Sequence, residues 1–192
     1  MDTMTILAIV IAIAVVIVVS TIVVFNALIA KRQMAHNGWS DIDVQLKRRA
    51  DLIPQLVSTV QGYAAHERQL FADIAEKRSA ALAAGDDPTK RGVAESELSR
   101  PIGRLVALAE GYPDLKASGN FLDLQKQLAD TEDKVEMARR FYNGAVRELN
   151  TLVETFPANV VAGLFGVGKR SYFEIANDAD RAVPGVTTGI GQ

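Results

Sequence analysis

Residues 120–156 read NFLDLQKQLADTEDKVEMARRFYNGAVRELNTLVETF and contain one unbroken apolar repeat. Apolar or small residues recur at alternating spacings of three and four, which is typical of a helix that packs along another helix. Asn120 is predicted to cap the N-terminus, and Pro157 is predicted to end the helix. The members of the repeat are Phe121, Leu124, Leu128, Thr131, Val135, Ala138, Tyr142, Ala145, Leu149, Leu152 and Phe156.

A second long helix is predicted upstream, over residues 39–84. It keeps the same spacing of apolar residues, although Arg49 and Glu67 occupy positions where apolar side chains are expected. Pro54 is predicted to kink this helix, because proline lacks the amide donor and crowds the preceding turn.

A shorter helix is predicted between these two. Residues 85–88 read Gly-Asp-Asp-Pro, which ends one helix and starts another with Asp87 as the cap and Pro88 as the first helical residue. This helix continues to about residue 110, and no segment of the chain alternates in the manner of a β-strand. The sequence therefore predicts an all-α fold, an up-and-down antiparallel bundle of three long helices with a short C-terminal segment.

The N-terminal segment from residue 6 to residue 30 has 25 residues and no charged side chain. A helix of about 20 residues crosses the hydrocarbon core of a bilayer, so this segment can span it with some tilt. A cleaved signal peptide would have a basic leader and a shorter apolar stretch, whereas this chain begins Met-Asp-Thr-Met-Thr. We predict an uncleaved single-pass anchor over residues 1–30 and a helical bundle over residues 31–175.

The charges that flank the anchor predict its orientation. Only Asp2 precedes it, whereas five basic residues follow it within 20 residues: Lys31, Arg32, Lys47, Arg48 and Arg49. The positive-inside rule then places the N-terminus outside and the bundle in the cytoplasm, at the inner membrane or the membrane of an intracellular organelle. The lipid bilayer is the first predicted partner.

Composition argues against several classes of activity. The chain has no cysteine, so disulfides, thiolate catalysis and cysteine-ligated metals are excluded. Its formal charge is −2 and its basic residues are interspersed with acidic ones, which gives no indication of nucleic-acid binding. His36 and His66 are too far apart in sequence to form a helical metal motif, and Asp41 and Asp43 point to different sides of a helix. We predict no metal, no cofactor and no catalytic residue.

Residues 163–171, GLFGVGKRS, nearly match the phosphate-binding loop of nucleotide hydrolases. Gly163, Gly168 and Lys169 are in register, but Arg170 stands where that loop has a hydroxyl residue. Such a loop works between a buried strand and a helix N-terminus, and no strand is predicted here. We expect no nucleotide binding, and instead glycine turns that dock Leu164 and Phe165 on the bundle.

Several motifs resemble those of the LemA family. They include GWSDIDVQLKRRADLIPQLV from residue 38, GYAAHE from residue 62, EGYPDLKA from residue 110 and RRFYNGAVR from residue 139. Phe156-Pro157, Phe165-Gly166 and Tyr172-Phe173-Glu174 continue the resemblance, which depends on long and specific motifs. The resemblance implies a single-pass bacterial membrane protein with a bundle of long helices and no established enzymatic activity. Some relatives serve in the formation of membrane organelles, and others are linked to envelope or stress physiology.

One polar cluster is predicted inside the bundle. Helix lengths imply that the first and third predicted bundle helices run parallel, which brings His66 and Glu67 level with Arg139 and Asn143. Because an unpaired buried carboxylate is costly, Glu67 is expected to pair with Arg139 or Asn143.

The function predicted from sequence is that of a non-enzymatic scaffold or adaptor that presents its bundle to other proteins or to copies of itself. Asn26 lies within the predicted span, where a matching Asn of a second copy would satisfy its amide; alternatively, it reaches the headgroups and needs no partner. A membrane-remodelling role in organelle biogenesis or envelope stress is the alternative function. Residues 176–192 are predicted to be a disordered tail.

Overall fold

The computed structural model describes residues 2–175, and every regular element within them is an α-helix, which confirms the predicted fold class. The predicted disordered tail, residues 176–192, lies outside the described residues. The helices are α1 (Thr3–Gln61), α2 (Arg68–Ala83), α3 (Pro88–Ala109), α4 (Pro113–Lys116), α5 (Gly119–Glu154) and α6 (Ala158–Leu164).

The apolar N-terminal segment and the first bundle helix are a single element. α1 has 59 residues and passes through the predicted anchor boundary at residue 30 without a break. Its residues 3–20 are all exposed, and it is long and apolar enough to cross a membrane. Leu28, inside the predicted anchor, is nevertheless completely buried. The last turns of the anchor segment therefore take part in packing the helical domain.

The described chain divides into two compact units. The first unit contains Met1–Arg48 and Ala129–Tyr172, and the second contains Arg49–Leu128 together with the segment that begins at Phe173. α1 and α5 each contribute one part to each unit.

The second unit is an up-and-down arrangement of α2, α3 and the adjoining parts of α1 and α5. Arg78 of α2 donates to the carbonyl of Ala50 in α1 at 2.6 Å, and Asn120 of α5 donates to Thr59 at 3.2 Å. These helices enclose one continuous apolar core, as expected for helices that each bury one face. Its members include Ile53, Leu56, Val60, Phe71, Ile74, Leu98, Leu105, Leu115, Phe121 and Leu124.

The predicted helix over residues 39–84 is divided in the structure. α1 ends at Gln61 and α2 begins at Arg68, and the turn between them is closed by bonds from the amides of Tyr63 and Ala64 to the carbonyl of Val60. The apolar spacing continues across this turn, since Val60 and Ala64 are both buried. The periodicity of the sequence therefore did not indicate a break. Gly62 was the only helix-breaking residue there, and glycine alone weakens a helix by only about 1 kcal/mol.

Helix termini follow local chemistry in one case and depart from it in another. The Asp87 carboxylate accepts from the amides of Thr89 and Lys90 at 2.9 and 3.1 Å, which confirms the predicted cap of α3. The predicted cap Asn120 lies instead within α5, where its side chain bonds to Thr59. The predicted repeat of α5 is buried or partly buried from Phe121 to Leu152. Phe156 is 78% exposed, because α5 ends at Glu154.

In the first unit, α1 and α5 run antiparallel. Residue numbers rise along α1 as they fall along α5: Lys31 pairs with Glu148, and Trp39 stacks with Tyr142 at a ring-centroid distance of 5.5 Å. Gly38 permits this approach, since a Cβ there would lie 3.1 Å from the backbone of Tyr142. After α5, the chain turns and α6 packs back onto the same part of α1.

Candidate functional site

In the first unit, α6 packs against the apolar part of α1. Leu28 of α1, Leu149 of α5, and Val161, Ala162 and Val167 form a buried cluster there. Val24 and Phe25, inside the predicted span, pack against this cluster. The ring of Phe25 lies 4.6 Å from that of Phe165 between centroids. Residues of the span and of the C-terminal region are therefore in direct contact.

α6 buries one face and exposes the other. Ala158, Val161 and Ala162 are buried, whereas Val160 and Leu164 are 53% and 74% exposed. The expectation that Leu164 docks on the bundle is therefore wrong, whereas Phe165 docks in part, through its ring contact with Phe25. The docking face is formed by Val161 and Ala162, because these side chains point toward Leu28 and Leu149. We refer to the exposed residues Phe156, Val160, Leu164 and Phe165 as the α6 patch.

The loop after α6 is fixed by neutral hydrogen bonds to its backbone. The Asn150 side chain accepts from the amide of Arg170 and donates to its carbonyl, both at 2.9 Å. The Tyr142 hydroxyl donates to the carbonyl of Ser171 at 2.8 Å. Lys169 forms an ion pair with Glu154. Residues 158–164 before the loop are helical rather than extended, so the frame that a phosphate-binding loop needs is not formed here.

Ion pairs also lie beside the end of the span. Lys31 donates to the Glu148 carboxylate at 2.5 Å. This hydrogen bond and the lysine charge lower the pKa of Glu148 below its usual value. Both side chains keep substantial contact with solvent, so the pair contributes little to stability.

A charged cluster lies inside the second unit. Glu95 accepts from Arg49 at 3.0 Å and from Arg91 at 3.1 Å, and all of these side chains are almost completely buried. Arg49 also donates to the hydroxyl of Ser99 at 2.8 Å. Burial raises the pKa of Glu95, and the two guanidinium groups oppose that rise. Arg49 can occupy an apolar repeat position because the Glu95 carboxylate compensates its charge.

The expectation that Glu67 is a buried carboxylate is wrong. Glu67 is an exposed residue at the N-cap of α2, and His66 is also exposed. Arg139 and Asn143 lie in α5 and are partly buried. The parallel register behind the prediction is wrong, because the reversal at residues 62–67 makes α5 antiparallel to α1 within each unit.

Asn26 is exposed on α1, one residue after Phe25. Another polar residue of the span, Thr21, donates its hydroxyl hydrogen to the carbonyl of Ile17 at 2.8 Å. The hydroxyl of Thr21 is thus satisfied within its own helix, which is the usual arrangement for such residues in a membrane.

Among residues 2–175, His, Asp and Glu side chains do not assemble into any group of three that could hold a metal ion. Asp41, Asp43 and His36 are exposed residues of α1. Within residues 31–175, the large apolar side chains with the highest exposure are Phe156 and Leu164 of the α6 patch.

Comparison with protein families now identifies the chain. The model of the LemA family matches residues 38–187, which is most of the sequence. This protein belongs to the LemA family. The LemA-family match and the long apolar helix make it a membrane-associated helical protein.

Curated relatives agree with this assignment. The chain is 23% identical to magnetosome protein MamQ of Magnetospirillum gryphiswaldense, over 78% of this chain and 64% of that protein. Magnetosome protein MamQ 2 of Paramagnetospirillum magneticum is also 23% identical, with the same coverage of both chains. Protein LemA of Metamycoplasma hominis is 28% identical over 71% of this chain and 63% of that protein. The chain thus spans slightly less than two thirds of the length of these relatives, and none of the names is that of an enzyme.

Sequence reasoning missed several residues that organise this LemA-family structure. Arg49 interrupts the apolar repeat, but nothing in the pattern indicates its partner Glu95, which lies in another helix. The role of Asn150 also depends on a loop that returns to it after 20 residues. The local signal for this role of Asn150 is weak: it is a polar residue within a helix, followed by Pro157 and a glycine-rich segment.

Proposed function

We propose that this LemA-family protein is a non-enzymatic, membrane-anchored scaffold or adaptor. The observation that carries the proposal is the continuity of α1, which leads from exposed apolar residues 3–20 into the packed helices without a linker. A continuous helix holds the domain at a fixed distance from the bilayer, unlike a flexible linker. Such an arrangement suits a protein that presents helical faces to partners or to other copies of itself.

The proposed location is a bacterial inner membrane or the membrane of an intracellular organelle. The basic residues after the span support a cytoplasmic domain and an external N-terminus. Confinement to a membrane raises the effective concentration of copies, so weak lateral contacts become significant. Asn26 supports self-association, because an amide in an apolar environment gains from a hydrogen-bonding partner on a neighbouring span.

Single-cysteine crosslinking in membranes tests this proposal, since the protein has no native cysteine. Full-length protein with a cysteine in the exposed part of the span should give a ladder of oligomers. Asn26→Ala should reduce the ladder, whereas Thr21→Val should not, because the Thr21 hydroxyl is satisfied within its own helix. Other single cysteines, placed on either side of the span, report orientation through their access to an impermeant maleimide.

Truncation is a further control, and the structure determines where to cut. Removal of residues 1–30 would take away Leu28 and expose its partners, so a shorter deletion of residues 1–20 is suitable. The shortened protein should stay folded and become mostly monomeric. Full-length protein that remains monomeric at native abundance would contradict self-assembly, and the scaffold would then have to recruit a different protein.

Membrane remodelling in organelle biogenesis or envelope stress is the second candidate function. It is favoured by the exposed α6 patch beside the span and by similarity to proteins named for magnetosomes. The shape of vesicles that contain the full-length protein distinguishes the two functions. Scaffolding alone leaves the vesicles spherical, whereas remodelling changes their curvature.

A further inference from the structure

We propose that the α6 patch inserts into the boundary between headgroups and acyl chains of the same bilayer that α1 spans. The proposal rests on the proposed membrane anchoring and adds a second contact with lipid. It makes residues 156–165 a membrane-contacting element of the domain rather than part of its solvent surface.

The depth of the patch follows from its contacts with α1. A span that starts at residue 6 and uses about 20 residues for the hydrocarbon core reaches the far boundary near Phe25. Phe165 lies 4.6 Å from Phe25 between ring centroids, and Val24 packs against the cluster that holds α6. α6 is therefore placed at the level where the hydrocarbon core gives way to headgroups.

The chemistry of the patch fits that boundary. Phe156, Val160 and Leu164 are spaced four residues apart and are 78%, 53% and 74% exposed, and Phe165 is 54% exposed. The other side of α6 is used for packing on Leu28 and Leu149. An apolar outer face above a fixed inner face is the arrangement by which interfacial helices lie in the membrane plane.

Charge indicates which lipids are needed. Only two basic residues, Lys169 and Arg170, follow the patch closely in sequence, and Lys169 pairs with Glu154. Interfacial helices that depend on anionic lipids carry many basic residues on the polar face. The α6 patch should therefore insert through its apolar side chains, and neutral phosphatidylcholine should be sufficient.

The bilayer is favoured over a second protein copy by continuity with the span. Whenever α1 lies in a membrane, lipid is already present beside Phe25, and thus beside Phe165. A protein partner would first have to displace that lipid. Insertion of these exposed apolar side chains into lipid also removes the cost of leaving the patch in water.

Site-specific fluorescence in phosphatidylcholine vesicles tests the proposal with the full-length chain. Leu164→Cys carries an environment-sensitive probe, and a nitroxide-labelled lipid and aqueous Co²⁺ serve as the two quenchers. Val16→Cys reports the span itself. Met137→Cys is a matched control, since Met137 is also apolar and 55% exposed. Met137 lies about 26 Å from the end of α5, well away from the patch.

The expected result is a blue-shifted probe at residue 164 that the labelled lipid quenches and Co²⁺ does not, as at residue 16. The probe at residue 137 should show the reverse. Quenching by Co²⁺ at residue 164 with lipid quenching at residue 16 would overturn the inference alone. Lack of lipid quenching at residue 16 would contradict the anchoring itself. Protection of residue 164 from both quenchers would show a protein partner and overturn the lipid assignment. The same measurement with the probe on Val160→Cys checks that the label at residue 164 does not itself cause the insertion.

Discussion

The two units of this LemA-family protein bury polar groups in different ways. In the second unit, Glu95 holds two buried arginines by charge-assisted hydrogen bonds. In the first unit, Asn150 and Tyr142 hold the loop after α6 by neutral bonds to its backbone. A buried charge whose partner is lost becomes very costly, whereas water can replace a neutral bond near the surface. One unit therefore depends on buried charges, whereas the loop after α6 in the other unit is held by neutral hydrogen bonds to its backbone.

The exposed surfaces of the units differ in the same direction. Outside the span, the first unit exposes several large apolar side chains close together at one end, including Phe156 at 78% and Leu164 at 74%. Among the large apolar side chains described in the second unit, the highest exposure is 57%, at Val93. Apolar patches that persist on a folded protein commonly mark interaction surfaces. The surface available for binding is thus concentrated in the unit that includes the anchor.

Glu95→Ala should produce the largest loss of stability. It leaves Arg49 and Arg91 without their shared carboxylate, and breaking a buried ionic network in this way costs about 3–5 kcal/mol. Chemical denaturation of the full-length protein in detergent micelles, followed by helical circular dichroism, measures the change in free energy of unfolding.

The matched control for this substitution is Glu97→Ala in the same helix. Glu97 pairs with Lys77 at 3.1 Å, but both side chains are well exposed. Its loss should change stability very little, because solvent screens such pairs. Equal effects of the two substitutions would contradict the view that the second unit depends on its buried charges.

Much of the fold could be predicted from sequence because its signals are local. The cap at Asp87 and the repeat of α5 depend on residues a few positions apart, and both are confirmed, the repeat as far as Leu152. The reversal at residues 62–67 could not be predicted in the same way, since apolar spacing continues through it. Because this one reversal was missed, the predicted direction of every later helix was inverted. The predicted pairing of Glu67 with Arg139 or Asn143 depended on that direction.

The candidate site was harder to predict than the fold. The sequence showed that Val160, Leu164 and Phe165 are apolar, but it could not show which of the neighbouring residues face inward. That choice depends on where Leu28 and Leu149 lie, more than 100 residues apart in sequence. The contact between Phe25 and Phe165 could not be predicted for the same reason, since it joins residues that are far apart in sequence.

Gly92→Ala should have the second-largest effect, and it tests how the second unit holds its terminal segment. A Cβ at residue 92 would lie 3.0 Å from the carbonyl carbon of Glu174 and closer still to its oxygen. Because that obstacle is backbone, the segment must shift, and the overpacking should cost about 1–3 kcal/mol. Phe173, which is completely buried, should become accessible to protease.

Gly103→Ala in the same helix is the control for Gly92→Ala. No neighbouring atom lies within 4 Å of a Cβ at residue 103. Alanine is the better helix former, so this change should stabilise the protein by about 0.5–1 kcal/mol. The two alanines therefore differ in the sign of their effects. The same sign for both, measured by denaturation, would show that Glu174 does not constrain α3.

Asn150→Ala should have the smallest effect of the three, because it acts on the neutral bonds of the first unit. It removes one bond to the amide and one to the carbonyl of Arg170, and partial access to water limits the loss to about 1–2 kcal/mol. Hydrogen exchange should rise in residues 165–171 and remain unchanged in α3, since the contacts of α3 are in the second unit. Lys169→Ala in the same loop is the control, and the loss of its exposed ion pair should leave exchange and stability unchanged. If Asn150→Ala instead destabilises the protein as much as Glu95→Ala does, the neutral bonds of the loop are as important as the buried charges, and the contrast between the two units is wrong.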